Sequence, residues 1–232
     1  MPSDRLQRES PADEPLAPRW HTAVLISLMV SVATIGTLLA RAGSPVVAPF
    51  ARGRVVAVYL PLLVVDWGLT LYVSRVGRPR NALPSLLGRG WNGFGRACTD
   101  VALAAALWLM VEGAEAAAGP WRNAAVVAML PHKGAERAVW VLVAVTVGFC
   151  EEVVYRGYLQ TQLAAFTGRA SVAVVLQAVL FGVAHGEQGL AAVIRFTLYG
   201  VVFGAIARWR RSLIPGIAGH IGIDLASGLL AS

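Results

Sequence analysis

Long apolar runs separated by short polar segments organise this chain. A helix needs about 20 predominantly apolar residues to span a bilayer. Seven runs approach or reach this length, at about 21–41, 55–75, 98–117, 138–162, 170–186, 189–209 and 212–231. The runs are continuously apolar and show none of the alternation of a membrane β-barrel. The pattern therefore predicts an all-α fold, a polytopic transmembrane helical bundle with seven spans.

Two segments fall outside this pattern. Residues 1–19 are polar and of mixed charge and contain four prolines, which predicts a disordered N-terminal tail before a single transmembrane domain over 20–232. A shorter apolar piece at 123–130 ends at Pro131. It is too short to span and is expected to be re-entrant or interfacial, although an eighth span stays open.

The first run is too long for an ordinary signal peptide and predicts an uncleaved signal anchor.

Composition supports the same class of protein. Charged residues make up 14% of the 232 residues and apolar residues 56%, with a mean hydropathy of +0.62, whereas soluble domains carry about 25% charged residues. The formal net charge is +7, but the basic residues lie mostly between the apolar runs. That placement favours membrane topology and contact with membrane lipid over nucleic acid binding. Frequent Ala, Val, Gly and Arg are typical of proteins from GC-rich bacterial genomes. The expected location is therefore a bacterial plasma membrane.

Arginine placement predicts the orientation of the bundle. The loops at 75–96 and 208–211 are rich in arginine and, with seven spans, lie on the same side as the N-terminal tail. Loops rich in basic residues remain cytoplasmic, so the N-terminus is predicted to be cytoplasmic. An eighth span after the 75–96 loop would reverse the helices that follow it.

Ionisable side chains inside the apolar runs are the main functional signal. Each costs on the order of a few kcal/mol at membrane depth, and such groups usually mark function. The candidates are Asp66, Glu112, Glu151, Glu152, Arg156, His185, Arg195, His220 and Asp224. Most of them fall in three short motifs of the C-terminal helices, whereas Asp66, Glu112 and Arg195 stand alone.

The first motif is Glu151-Glu152-Val-Val-Tyr-Arg156. At about 100° per residue, Glu152 and Arg156 lie about 40° apart on a helix and can pair, whereas Glu151 points about 100° away from Glu152. The spacing therefore gives Glu152 a neutralising partner and leaves Glu151 free to face another helix. A carboxylate of that kind suits general-base catalysis.

The other motifs are Phe181-Gly-Val-Ala-His185 and His220-Ile-Gly-Ile-Asp224, each with its two polar or aromatic ends on one helix face. Asp224 can orient His220, or both can bind one ligand or metal. Each motif alone also fits a structural role, but the three together favour a functional site. Neither a His-Glu-x-x-His zinc-protease helix nor a Gly-x-Ser-x-Gly nucleophile elbow occurs in the sequence.

These three motifs, in this order on successive apolar helices, resemble those of the CPBP family (CAAX protease and bacteriocin-processing enzymes, also called Abi), which includes prenyl-protein endopeptidases. The resemblance covers about 138–231, the expected catalytic core. It implies an intramembrane peptidase in which Glu151 is the catalytic carboxylate and His185 helps it to activate water. His220 and Asp224 would complete the site, with Glu152, Arg156 and Phe181 as structural support.

The resemblance leaves the cofactor and the substrate open. A metal-free glutamate mechanism and a metalloprotease mechanism both fit, since Glu151, His185 and His220 can supply three ligands to a divalent metal such as zinc. In prenyl-protein processing members, the motif position that Asp224 occupies here resembles a pattern with Asn. Asp224 would carry a proton, orient His220 or ligate a metal, which puts a prenylated substrate in doubt.

The expected activity is hydrolysis of a peptide bond in a membrane-associated or lipid-modified peptide or protein. One alternative is a non-catalytic partner of membrane proteins, a chaperone or immunity factor with the same fold. Another is a proton-coupled transporter with Glu151 and His185 as a relay, although no internal repeat of the kind common in transporters is visible. The oligomeric state is not indicated by the sequence.

Overall fold

The structure is a computed structural model that describes residues 15–41, 53–75, 83–118 and 124–230. Within these ranges the chain is helical, and an isolated bridge between Gly88 and Ser212 is the β pairing they contain. The all-α prediction is therefore confirmed for the described part of the chain.

Ten α-helices follow one another in the described ranges, with π-helical turns at Val55–Tyr59 and Glu152–Leu159 and a 3-10 turn at Gly186–Gln188. Their bounds are α1 Arg19–Arg41, α2 Leu60–Arg75, α3 Leu83–Leu87, α4 Phe94–Ala118, α5 Ala124–Met129, α6 Gly134–Glu151, α7 Gln160–Thr167, α8 Ala170–Ala184, α9 Leu190–Arg210 and α10 Ile214–Leu229.

Each of the seven predicted runs contains a helix, but the number of spans is not confirmed. Five helical segments of the described chain are long and apolar enough to cross a membrane: Arg19–Leu39, Val55–Arg75, Phe94–Ala117, Gly134–Thr167 and Leu190–Arg210. With 15 and 16 residues, α8 and α10 are about 22–24 Å long, shorter than the roughly 30 Å hydrocarbon core. The apolar piece at 123–130 forms only the six-residue α5. The protein is an integral membrane protein with at least two helices too short to cross unaided.

The centre of the bundle is the stretch where α6 continues into α7. The backbone of Glu152–Leu159 is π-helical there, and every residue of this turn is buried. α10 packs against α4 and α6, while α8 packs against α7 and α9. π-helical turns are rare and frequently occur at functional sites.

The segment before α1 is anchored to α7. Residues 1–14 of the predicted tail lie outside the described residues, whereas Leu16 and Ala17 are buried. Both backbone N–H groups donate to Gln162 Oε1, and Gln162 Nε2 donates back to the carbonyl of Ala17 at 3.0 Å. The buried side-chain amide of Gln162 thus provides the hydrogen bonds that a helix would otherwise provide for these backbone groups.

A buried polar network continues from there into α1. His21 Nδ1 and Thr22 Oγ1 lie 2.6 and 3.1 Å from the hydroxyl of Tyr158, and Gln162 Nε2 donates to Thr22 Oγ1 at 2.7 Å. The ring of His21 stacks on that of Tyr72 with centroids 4.0 Å apart. These contacts join α1 and α2 to Tyr158 in the π-helical turn and to Gln162 in α7, and polar contacts between helices are a main source of specific packing in lipid.

Replacing Gly182 with alanine is expected to force α8 away from α9. A Cβ at this position would overlap Thr197 Oγ1 and lie 2.5 Å from the backbone oxygen of Val193. Because a backbone oxygen cannot rotate away, we expect Gly182→Ala to lower the free energy of unfolding by about 1–3 kcal/mol. Gly113→Ala in α4 is the control, since no described atom lies within 4 Å of its Cβ position. Equal stabilities of the two variants in denaturant titrations would contradict this account of the α8–α9 contact.

Candidate active site

The three motifs converge on one cavity of about 210 Å³ inside the bundle. This volume is several times the roughly 30 Å³ that one water occupies in the liquid. The ionisable or polar residues of its wall are Glu115, Glu151, Arg156, His185, Gln188, Arg195, Tyr199, His220, Asp224 and Ser227. Every sequence-predicted catalytic residue therefore faces the same space, and Arg156 and Phe181 from the predicted support also line it.

The ion pair of the first motif lies beside the cavity, whose wall includes Arg156 but not Glu152. Arg156 Nη1 lies 3.1 Å from Glu152 Oε1, and both side chains are essentially inaccessible, at 1% and 0% exposure. The guanidinium sits over the ring of Phe181 at 4.3 Å from its centroid and faces Phe203 at 5.5 Å. Cation–π contacts of this kind stabilise a desolvated guanidinium, so Phe181 supports the pair as well as the helix that carries His185.

His220 is held by the same carboxylate. Its Nδ1 lies 3.3 Å from Glu152 Oε1, and because a carboxylate only accepts, Nδ1 carries the hydrogen of this contact. A side chain at position 216 would collide with the same group, since a Cβ on Gly216 would lie 2.7 Å from Glu152 Oε2. The glycine allows α10 to approach Glu152 closely enough for His220 to reach it.

The remaining nitrogen of His220 faces the two other carboxylates. Nε2 is 3.7 Å from Glu151 Oε2 and 3.8 Å from Asp224 Oδ2. These separations exceed a direct hydrogen bond, so the three groups surround a space rather than close on one another. Glu151, His220 and Asp224 thus form an open cluster from two different helices.

Glu151 occupies the position that the spacing argument gave it. It is the last residue of α6, immediately before the π-helical turn, and faces α10 instead of Arg156. Its Oε2 is buried and accepts no hydrogen bond from the described residues. The angles used for the prediction assumed 100° per residue, whereas the π-helical turn is wider. The division of the two carboxylates is nevertheless as expected.

His185 lies just beyond the end of α8. Its Nδ1 donates to the backbone oxygen of Phe181 at 2.8 Å, and its ring stacks on Phe196 with centroids 3.8 Å apart. A backbone carbonyl can only accept, so this bond assigns the hydrogen to Nδ1 and leaves a lone pair on Nε2 of the neutral ring. The i, i+4 spacing from Phe181 therefore fixes the tautomer as well as the position of His185.

Sequence reasoning missed Trp140, a further residue of the cavity wall. Its Nε1 donates to the backbone oxygen of Asp224 at 2.8 Å, and its ring packs edge-on against Tyr59 at 5.6 Å. The indole also abuts Gly228, one turn after Asp224. Trp140 thereby ties α6 to the part of α10 that presents Asp224. A tryptophan within an apolar run gives no signal of this role.

The three isolated candidates have separate positions. Arg195 lines the cavity, and its Nη1 lies 3.6 Å from Glu115 Oε1. Asp66 is buried in α2, and its Oδ2 has no hydrogen-bond partner among the described residues. Neither Asp66 nor Glu112 is among the residues that line the cavity. Of the three, only Arg195 joins the predicted site.

The proposed zinc ligands do not form a metal-binding arrangement. Three ligands of one zinc ion must each place a donor atom about 2.0–2.2 Å from a common point. In the described part of the chain, no group of three or more His, Cys, Asp or Glu side chains has such an arrangement. A metal requirement stays a prediction.

Helices of transmembrane length that enclose a buried cluster of carboxylates and imidazoles define an integral membrane protein with a candidate catalytic centre. A family model described as type II CAAX prenyl endopeptidase Rce1-like matches residues 134–226, which contain all three motifs. The match covers the segment that carries the resemblance to the CPBP (Abi) family, so that resemblance is confirmed there, and the matched family implies a peptidase. Comparisons with curated proteins and with solved structures find no match.

Proposed function

We propose that the protein is an intramembrane endopeptidase that hydrolyses a peptide bond of a membrane-associated or lipid-modified peptide or protein. One observation carries the proposal: the carboxylate of Glu151, whose buried Oε2 accepts no hydrogen bond from the described residues, faces His220 across 3.7 Å at the wall of the cavity. The family match to 134–226 supports the reaction class.

Activation of water is assigned to Glu151 with His185. Glu151 can accept a proton from a water in the cavity, and the lone pair on His185 Nε2 can accept a second hydrogen bond from that water. The hydrogen bond to Phe181 and the stacking on Phe196 hold the imidazole in one orientation. Such orientation lowers the cost of bringing water and carbonyl together.

Stabilisation of the tetrahedral intermediate is assigned to His220. Glu152 accepts the hydrogen of Nδ1, so Nε2 donates to the developing oxyanion when His220 is the doubly protonated imidazolium, in which both ring nitrogens are donors. Asp224 lies one turn further along α10, 3.8 Å from Nε2, and would orient the ring. The Glu152–Arg156 ion pair supports this arrangement through the contact of Glu152 with His220, and it does not touch the reacting atoms.

The cavity wall indicates the neighbourhood of the scissile bond. Its aliphatic part comes from the segment between α4 and α6 and from α10, and consists of Val111, Val126, Met129, Leu130, Val147 and Ile223. This wall favours an apolar side chain next to the bond that is cut, because its burial there removes apolar surface from water.

The proposal includes a location in a bacterial plasma membrane with a cytoplasmic N-terminus. The arginine-rich loops support this orientation. The possible eighth span at 123–130 contains only the six-residue α5, which is too short to cross a membrane, and the proposed orientation accordingly uses the seven predicted runs.

Cleavage of a membrane-anchored peptide library by the purified protein in nanodiscs tests the function. We expect mass spectrometry to find products cut beside apolar residues, and one ¹⁸O atom in the new carboxyl group when the reaction runs in H₂¹⁸O. Parallel reactions with a chelator and with added zinc test the metal requirement. Peptides that bind without being cut would contradict the proposal and favour the non-catalytic partner, whereas uptake driven by a pH gradient in proteoliposomes would favour the transporter.

A further inference from the structure

A groove of about 1130 Å³ lies on the side of Arg156 opposite the active-site cavity. It is formed by α3, the π-helical turn, α7, the start of α8 and the turn between α9 and α10. Arg156 lines both this groove and the active-site cavity. The groove is large enough for a polar headgroup, and the proposed peptidase chemistry uses none of it.

The groove is positively charged. Arg208 and Arg211 line it, and its described lining contains neither Asp nor Glu; the third arginine of the lining, Arg156, is paired with Glu152 and adds no free charge. Arg208 and Arg211 are exposed, and neither forms an ion pair with the described residues. Arg210 between them differs, because its guanidinium is bound to Asp100 at 2.7 Å. The structure thus neutralises the middle arginine and leaves its two neighbours available to an anion.

The backbone at Arg211 is held in a conformation that favours glycine. Its φ of 50° is the single positive value of a non-glycine residue in the described ranges. The carbonyl of Arg211 accepts from the N–H of Arg89 at 2.7 Å, and the N–H of Leu213 donates to the carbonyl of Leu87 at 3.0 Å. Left-handed backbone costs a residue with a Cβ about 1–2 kcal/mol, and strained residues cluster at functional sites. Arg211 is the left-handed C-cap of α9, and its side chain is exposed at the groove.

The position of the groove indicates the source of the anion. Trp209, at the end of α9, is 66% exposed, as is typical of tryptophans at a membrane–water interface. This end of the bundle is also the one that the arginine-rich 75–96 and 208–211 loops predict to be cytoplasmic. Cytoplasmic leaflets carry anionic lipids, which attract basic residues near the surface.

We infer that this groove binds the phosphate-bearing headgroup of an anionic phospholipid, with Arg208 and Arg211 as its cationic contacts. The phosphate oxygens accept hydrogen bonds from the two guanidinium groups, and the acyl chains lie along the apolar surface near Trp209. The bound lipid lies opposite the active-site cavity, with Arg156 between them. The inference concerns binding and is independent of whether the protein cleaves peptides.

Native mass spectrometry of the full-length protein tests the inference. Detergent-solubilised protein is titrated with phosphatidylglycerol or with phosphatidylcholine of the same acyl chains. Each basic residue near an anionic surface contributes roughly fivefold, so two arginines predict a preference for phosphatidylglycerol of about thirtyfold. We expect Arg208→Gln/Arg211→Gln to remove this preference. The control Arg19→Gln/Arg75→Gln takes two exposed arginines from the same end of the bundle but outside the groove, and is expected to keep it.

Arg211→Gly separates the loss of charge from a loss of fold. Glycine accepts the positive φ, so this variant is expected to be at least as stable as the wild type and still to bind less phosphatidylglycerol. Equal binding of the two lipids by the wild type, or a preference that survives the double substitution, would overturn the inference. Displacement of the lipid by millimolar inorganic phosphate would show a phosphate site instead of a lipid site.

Discussion

Replacing Glu151 with glutamine is expected to reduce peptide cleavage on the order of 10² to 10⁴-fold, the range that one general base contributes. Glutamine has almost the same shape as glutamate, but its amide cannot take a proton from water. Glu151 makes no short contact that the substitution would break, since its nearest ionic partner is His220 at 3.7 Å. The fold and the peptide affinity should therefore remain close to those of the wild type. Single-turnover cleavage and equilibrium peptide binding measure the two effects separately.

Glu112→Gln is the matched control for this experiment. Glu112 is also a carboxylate within an apolar helix, but it is not among the residues that line the cavity. We expect the control to cleave at the wild-type rate. Wild-type cleavage by Glu151→Gln would refute the proposed mechanism, whereas equal losses in both variants would point to a general effect of removing charge from the bundle.

The second large effect is expected when the Glu152–Arg156 pair is broken. Either Glu152→Gln or Arg156→Met leaves a charged group at 0–1% exposure without its partner. Removing one member of a buried pair typically costs about 3–5 kcal/mol, because the remaining charge stays desolvated. Glu152→Gln also weakens the contact that positions His220. Denaturant titrations in mixed micelles measure the free energy of unfolding.

A double-mutant cycle distinguishes this effect from a simple loss of packing. We expect Glu152→Gln/Arg156→Met to be less destabilised than the sum of the single variants, since no unpaired charge remains. The pair of Arg54 and Glu136 is the comparison, because its side chains are 20% and 12% exposed at 3.3 Å separation. We expect Arg54→Gln to cost less than either single variant of the buried pair, because partial contact with solvent screens the charges of Arg54 and Glu136. Additive effects at Glu152 and Arg156, or costs no larger than that of Arg54→Gln, would contradict the account.

The candidate site could be predicted because its contacts follow helix periodicity. Glu152 with Arg156, Phe181 with His185 and His220 with Asp224 are each four residues apart, and such pairs share a helix face. The predicted ion pair is present at 3.1 Å, and the bond from His185 to the carbonyl of Phe181 follows from the same spacing. Charged residues in apolar runs were a sufficient signal to select these positions.

Contacts between distant parts of the chain could not be predicted in this way. The bond from Trp140 to Asp224 and the approach of Gly216 to Glu152 depend on how helices cross. The π-helical turn at Glu152–Leu159 has no recognisable sequence signal, because it is the surroundings that favour the wider turn. The number of spans was uncertain for another reason. Apolar runs near 170–186 and 212–231 do not show where a helix ends, and α8 and α10 end early.

The buried network around Tyr158 has a consequence for biogenesis. His21 and Thr22 meet Tyr158 across 137 and 136 residues of sequence, and Thr22 meets Gln162 across 140. Ribosomes add about 5–20 residues per second, so α1 is made roughly 7–30 s before its polar partners. Throughout that interval the first helix holds an imidazole and a hydroxyl without these bonds inside or beside the membrane. A nascent chain that stalls before α7 would therefore expose a first helix whose polar side chains lack these partners. Membrane quality control can recognise the unfinished protein by this feature.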